Sequence, residues 1–391
     1  MGSEMCIRDS LWTLVARDAF NGTLLWKKPL SGRKSQKSLV AVADKLYMAP
    51  GRGEPVTVLD AATGKTLRTL KGTEGADEII CIDDTIILHR AGAKRSKDRN
   101  DDSIVAVNAD TGEILWRTQS KHLVSHSLAA ADGRLCYHDG EKVVCLDLRS
   151  GNELWHAASK TARRGNLLMI YRGVVFFTAP GGLMAYAADT GQVLWKGPTI
   201  NARLSLFGAG GLVWVSDIQE HGRTHLWTPQ PVVANGYDPL TGQIRRTVTV
   251  PRLVTPGHHI RCYQAKATER YIILPKRGME FIDIEGDNHM RTDWLRGPCG
   301  HGIVPANGLV YAPPHQCFCY PGVKVTGFNA VSAELMPIRK RPRLKRGPAF
   351  DEIENSKSKI ENPSDWPTYR HDAIRSGRAG CDLPVNLDRL W

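Results

Sequence analysis

Six copies of one eleven-residue pattern, at 16–26, 58–68, 106–116, 145–155, 185–195 and 236–246, restrict this chain to a repeat architecture. Position one is small or slim, position three is Asp or Asn in five copies, and position six is Asn, Thr or Ser. Position seven is glycine every time: Gly22, Gly64, Gly112, Gly151, Gly191 and Gly242. Position ten is Leu in five copies, and position eleven is Trp in four: Trp26, Trp116, Trp155 and Trp195. A period of roughly 40–50 residues means one supersecondary unit per repeat.

Each copy reads as a hairpin. An apolar segment such as Ile104-Val105-Ala106-Val107 precedes the polar turn, and Ile114-Leu115-Trp116 follows it. Strand-like runs on both sides of a short polar loop predict antiparallel pairing. The aspartates Asp18, Asp60, Asp147 and Asp238 are expected to cap their turns by accepting hydrogen bonds from backbone two residues on. The glycine then takes the left-handed position that closes a three- to five-residue loop. Trp at position eleven is too large to leave wet. The expectation is that it docks onto the next unit, with the small residue at position one of that neighbour leaving room for its ring.

Between the copies lie further apolar stretches, at 38–48, 79–88, 128–137, 168–177 and 204–215. Each unit therefore supplies about four short strands, which is a propeller blade. Two degraded units are expected to follow. One runs through 271–274 and 280–284 to Trp294, and the other through 303–311 and 323–329. The predicted fold is all-β, an eight-bladed propeller of four-stranded antiparallel blades. A helical alternative fails, because no long stretch has a 3.6-residue period and glycine and proline are abundant.

The Ala-x-Asp-x-x-Thr-Gly-x-x-x-Trp pattern resembles the tryptophan-docking motif of the quinoprotein (PQQ-like) β-propeller family. That family contains PQQ-dependent dehydrogenases and the non-enzymatic lipoprotein of the outer-membrane β-barrel assembly machinery. The resemblance covers roughly residues 11 to 330. It implies a fold and an extracytoplasmic setting, but the motif is structural in both branches and assigns no chemistry.

With 391 residues and 42% hydrophobic composition, the chain can bury a large core. No run of eighteen apolar residues occurs, so no membrane span is expected. Residues 1–10 (MGSEMCIRDS) fit no strand or cap pattern, resemble translated adapter sequence, and stand outside the fold argument. The propeller is assigned to 11–335, with its first blade incomplete. Residues 336–364 form a charged linker whose basic run, 338–346, carries half of the net charge of +12. A solvated tether is the preferred reading of that run, ahead of an anionic-lipid or nucleic-acid contact. The segment 91–102 is read as a second charged surface loop. Residues 365–391 resemble the segment that opens a propeller in this family. They are read as the start of a second propeller or as strands that close this ring.

The chemistry-bearing residues gather where the repeat decays. Cys299, His301, His315, Cys317 and Cys319 fall within one short stretch. Three readings stand: a disulfide from Cys299 to Cys317 or Cys319, a zinc or copper site, or buried thiols. The spacing matches no standard zinc template. Cys136 and Cys145 flank a turn. If Gly140-Glu141 form a two-residue loop they face each other, as a cross-strand disulfide or as two reduced core thiols. His258-His259, His221 and His225 have no evident partner, and Cys81, Cys262 and Cys381 likewise.

In the family's dehydrogenases a vicinal Cys-Cys pair stacks on PQQ, while Asp, Glu and Asn hold calcium. No Cys-Cys occurs here, the nearest approach being Cys317-Phe318-Cys319. No catalytic residue is therefore carried over. The expected function is a non-catalytic, extracytoplasmic platform for protein partners. The alternatives are a PQQ-dependent quinoprotein oxidoreductase and a metal-binding propeller using the Cys/His cluster.

Overall fold

The computed structural model describes residues 13–32, 36–51, 53–90, 102–120, 122–161, 167–199, 206–218, 230–254, 263–298, 302–314, 325, 327–332, 372, 374–378 and 388–389. Among these, the chain forms seven four-stranded antiparallel sheets and one two-stranded sheet. Each sheet is a meander whose strands pair in sequence order, the blade of a β-propeller.

The two-stranded sheet pairs Thr13–Arg17 with Leu24–Pro29. Blade 1 runs from Leu39–Val42 to Thr66–Leu70, blade 2 from Ala76–Ile82 to Ile114–Ser120, and blade 3 from Ala129–Ala131 to Glu153–Ala158. Blade 4 runs from Leu168–Tyr171 to Val193–Lys196, blade 5 from Leu206–Ala209 to Ile244–Val254, and blade 6 from Lys266–Ala267 to Met290–Thr292. Blade 7 contains Val304–Ala306, Leu309–Ala312 and Asn329–Ser332, and its fourth strand is Asp388–Arg389.

The expectation of eight four-stranded blades is thus corrected to seven. The six clear repeats give five full blades and one pair of strands, because no described residue supplies two further strands beside Thr13–Arg17. The two degraded units do form full blades, although Trp294, read as the end of the first, is 39% exposed.

The middle strands of a blade are buried on both faces, which explains their near-continuous apolar runs. In Thr85–Arg90, Ile86 and Leu88 pack toward blade 1 while Ile87 packs toward blade 3. This two-residue alternation sends one face of each strand into each neighbouring interface. Shared clusters link blades 1 to 7 in turn. The two-stranded sheet completes the circuit. Leu14 and Trp26 pack on blade 1, and Ala19 packs with Phe328 on blade 7.

Among the described residues, no helix is long and apolar enough to cross a membrane.

Candidate functional site

The repeated turns share one geometry. Oδ1 of Asp18, Asp60, Asn108, Asp147 and Asp238 accepts hydrogen bonds from backbone two or three residues on, at 2.7–3.1 Å. The six glycines have φ between 70° and 79°, and each N–H donates to the carbonyl of position three. The acids are fully engaged in closing their loops. For Asp147 and Asp238, the hydrogen bonds from Ser150 and Thr241 hold the carboxyls below the usual range.

Position eleven meets the following unit. The indole N–H groups of Trp26, Trp116, Trp155 and Trp195 donate to the carbonyls of Ala61, Leu148, Ala188 and Pro239, at 2.8–2.9 Å. All four acceptors occupy position four of the next repeat. Arg68, which replaces Trp in the second copy, reaches the equivalent carbonyl of Ala109 at 2.9 Å. The ring of each Trp lies against the glycine of the next turn. A Cβ added at Gly64, Gly151, Gly191 or Gly242 would come within 2.4–2.6 Å of it.

This corrects the expected role of position one. Ala16, Ala106, Cys145 and Ala185 lie opposite the Trp of their own hairpin, across the strand pair. The room for the neighbour's ring is made by glycine.

Position ten, the repeated leucine, points outward. Leu25, Leu67, Leu115, Leu154 and Leu194 are 38–55% exposed, and Leu24, Ile114, Val193 and Ile244 at position nine are exposed as well. Each sits at the start of an outer strand, so the same apolar step recurs from unit to unit around the rim.

A second polar feature is built on the first three strands of blade 2. Glu78 is completely buried on Ala76–Ile82. Its carboxylate meets Lys37 Nζ at 3.3 Å and Arg375 Nη2 at 2.9 Å. Burial alone would raise its pKa, yet the charges of Lys37 and Arg375 hold it below the usual range. Beside it, His89 Nδ1 lies 2.6 Å from Asp77 and Nε2 lies 3.5 Å from Asp102. Burial would lower the imidazole's pKa. The close approach of the Asp102 and Asp77 carboxylates outweighs it and brings it to about 9. Asp102 also accepts from the Leu123 N–H at 2.8 Å, so this end of the expected charged loop is a buried strand residue.

Sequence reasoning missed this network. The available signal was an isolated Asp-Glu pair at the head of an apolar inner strand, where an acid has no reason to be unless a cation meets it.

Cys136 and Cys145 pair directly across their strands, as the turn spacing implied, and both are buried free thiols. Cys299, His301, His315, Cys317 and Cys319 lie outside the described residues, as do His258, His259, His221, His225, Cys262 and Cys381. Among the described residues, no three His, Cys, Asp or Glu side chains are grouped to hold a metal ion.

The blades, their glycine turns and their indole contacts define a β-propeller built from quinoprotein-like (PQQ-like) repeats. Residues 12–230, more than half of the chain, match the family described as outer membrane protein assembly factor BamB. The chain belongs to that family.

Among solved structures it is similar to BamB from Moraxella catarrhalis, at 13% identity and a TM-score of 0.49, over 77% of this chain and 85% of that one. It is also similar to the quinohemoprotein alcohol dehydrogenase ADHIIG from Pseudomonas putida HK5, at 13% identity and 0.49, over 82% and 67%. A serine/threonine-protein kinase, AfsK of Streptomyces coelicolor, is 35% identical over 97 residues. That stretch is 23% of this chain and 11% of the kinase, so the match spans about a tenth of that relative's length.

Proposed function

We propose that the chain is a non-catalytic binding and assembly platform for protein partners, working outside the cytoplasm. The observation that carries this reading is the exposed apolar rim. Leu at position ten recurs in five units, although no packing inside the blade calls for it. Under this proposal the exposed apolar pairs at positions nine and ten, repeated from unit to unit, supply the surface that partners bind. On this reading the four indole contacts are tryptophan-docking motifs, which fix the relative position of neighbouring blades and so the spacing of the rim. The family's description as an assembly factor supports the same reading, and so does the extracytoplasmic setting of that family.

The quinoprotein alternative requires PQQ with calcium. The sequence has no vicinal cysteine pair to stack on the quinone, and among the described residues no three His, Cys, Asp or Glu side chains are grouped to hold a metal ion. No step is derived through that cofactor. The metal-binding alternative rests on the Cys/His cluster at 299–319.

Two measurements test the proposal. Photo-crosslinking residues placed at Leu115 and Leu154 should trap a discrete protein partner, and Leu154→Glu should abolish trapping at Leu115. Titration with PQQ and calcium should give no saturable absorbance change. Saturable binding accompanied by dye reduction would overturn the platform reading.

A further inference from the structure

The distal residues Asp372, Ile374, Arg375, Ser376, Gly377 and Arg378 do not extend any blade. They touch the inner strands of three of them and the residue just before the inner strand of a fourth. Arg375 Nη2 bonds Glu78 on blade 2, and its Nε donates to the Leu128 carbonyl, next to the inner strand of blade 3, at 3.0 Å. The Ile170 N–H on blade 4 donates to the Ile374 carbonyl at 3.2 Å. The Ala267 N–H on blade 6 donates to the Gly377 carbonyl at 2.9 Å, and Ala267 and Arg378 form a parallel bridge. Arg378 also pairs with Glu269. Only a position on the axis of a propeller reaches inner strands of blades that far apart.

The contacts have the form of peptide recognition. Main-chain hydrogen bonds to strand residues hold the backbone, and one long side chain enters a specific pocket. Arg375 is 1% exposed, and the acid it meets is fully buried. The pocket is made by Glu78, Lys37 and the Leu128 carbonyl, all belonging to blades and their connections. A charge-assisted bond from guanidinium to a desolvated carboxylate is strong and selective for a cationic tip. The ligand side is preorganised as well. Ser376 N–H and Oγ–H donate to the Asp372 carboxylate at 2.8 and 2.6 Å, and the Arg375 N–H donates to the Asp372 carbonyl. This turn presents the arginine.

We infer that the axial channel at Glu78 is a recognition site for an extended, arginine-bearing peptide, and that Asp372 and residues 374–378 occupy it as an exchangeable internal ligand. Because the segment belongs to the same chain as the blades, its binding is intramolecular and is favoured over that of a free peptide of equal contacts. A partner's peptide with an arginine on a similar turn would compete for the same pocket. The inference rests on the platform reading, to which it adds a site and a partner chemistry.

The test uses the full chain with a specific protease sequence inserted within 351–361. After cleavage, excess synthetic peptide covering 365–391, which carries the blade 7 strand Asp388–Arg389 as well as the arginine turn, should exchange with the severed fragment, followed by size exclusion and mass spectrometry. A peptide with Arg375→Ala should exchange at least about ten-fold less well. Glu78→Gln in the protein should weaken the native peptide by a similar factor. The idea is overturned if the peptide neither displaces nor replaces the fragment, or if the Arg375→Ala peptide does as well as the native one. The two peptides are compared on unaltered blades, so poor folding of the Glu78 variant would not blur the outcome. If exchange fails while crosslinking at Leu115 and Leu154 persists, only the channel site falls.

Discussion

The ring of Trp116 occupies the space where any side chain on Gly151 would have to be: a Cβ there would fall 2.6 Å from Cδ2 of the indole. Two demands meet at this glycine, since its φ of 73° is also one that side chains rarely adopt. Gly173 has the same φ but nothing within 4 Å of an added Cβ. Gly173→Ala should therefore cost only the left-handed backbone penalty, about 1–2 kcal/mol. Gly151→Ala adds overpacking and should cost about 2–4 kcal/mol in urea unfolding. Equal costs would show that the indole contact contributes nothing.

Trp155 is buried, donates to Ala188 and stacks near Tyr186. Trp155→Ala should destabilise by about 3–5 kcal/mol. Trp294→Ala, at a site half open to water, should cost well under half of that. Calorimetry on the two variants distinguishes a Trp that joins blades from one that lies on a surface.

The His89 network predicts a pH dependence. Its folded pKa, about 9, lies above the ordinary value of 6.5, because Asp102 and Asp77 overcome the effect of burial. Folding therefore favours the protonated ring. The contribution, of order 3 kcal/mol, is complete below about pH 6.5 and is lost as pH rises through 9. The melting temperature should fall across that window. His89→Gln should flatten the fall, and an unchanged slope in that variant would refute the assignment.

Burial pushes the Cys81 thiol up to about 12 and the Cys136 thiol well above its ordinary value. Iodoacetamide at pH 8 should leave both unmodified in the folded chain and alkylate both in urea, as read by peptide mass spectrometry. Rapid alkylation of Cys136 without denaturant would contradict its burial.

The repeat was legible because its causes are local. Asp147 caps its own turn and Gly151 closes it, so eleven residues carry the whole instruction. The docking of Trp116 was legible in kind but not in place. Ala106 and Trp116 share a hairpin, and sequence alone cannot say which residue of the next unit the ring will meet. The blade count failed for a different reason. Blade 7 takes its last strand from Asp388–Arg389, and among the described residues Thr13–Arg17 has no inner strands beside it. Glu78 and Arg375 were invisible as a pair, since a contact between residues 297 positions apart leaves no periodic trace. The leucine at position ten was seen but not explained until its exposure was known.

The pairing of Asp388–Arg389 with Asn329–Ser332 also sets the order in which the molecule can be finished. Blades 1 to 6 are each built from one continuous stretch, so their contacts close short loops and can form as synthesis proceeds. Blade 7 cannot. Its fourth edge stays open until residues 388–389 have been made and have found their way back. That long closure is entropically slow, and until it happens the last sheet presents an unprotected strand. During biogenesis, blade 7 is therefore open to wrong pairing at this edge after blades 1 to 6 can already have formed.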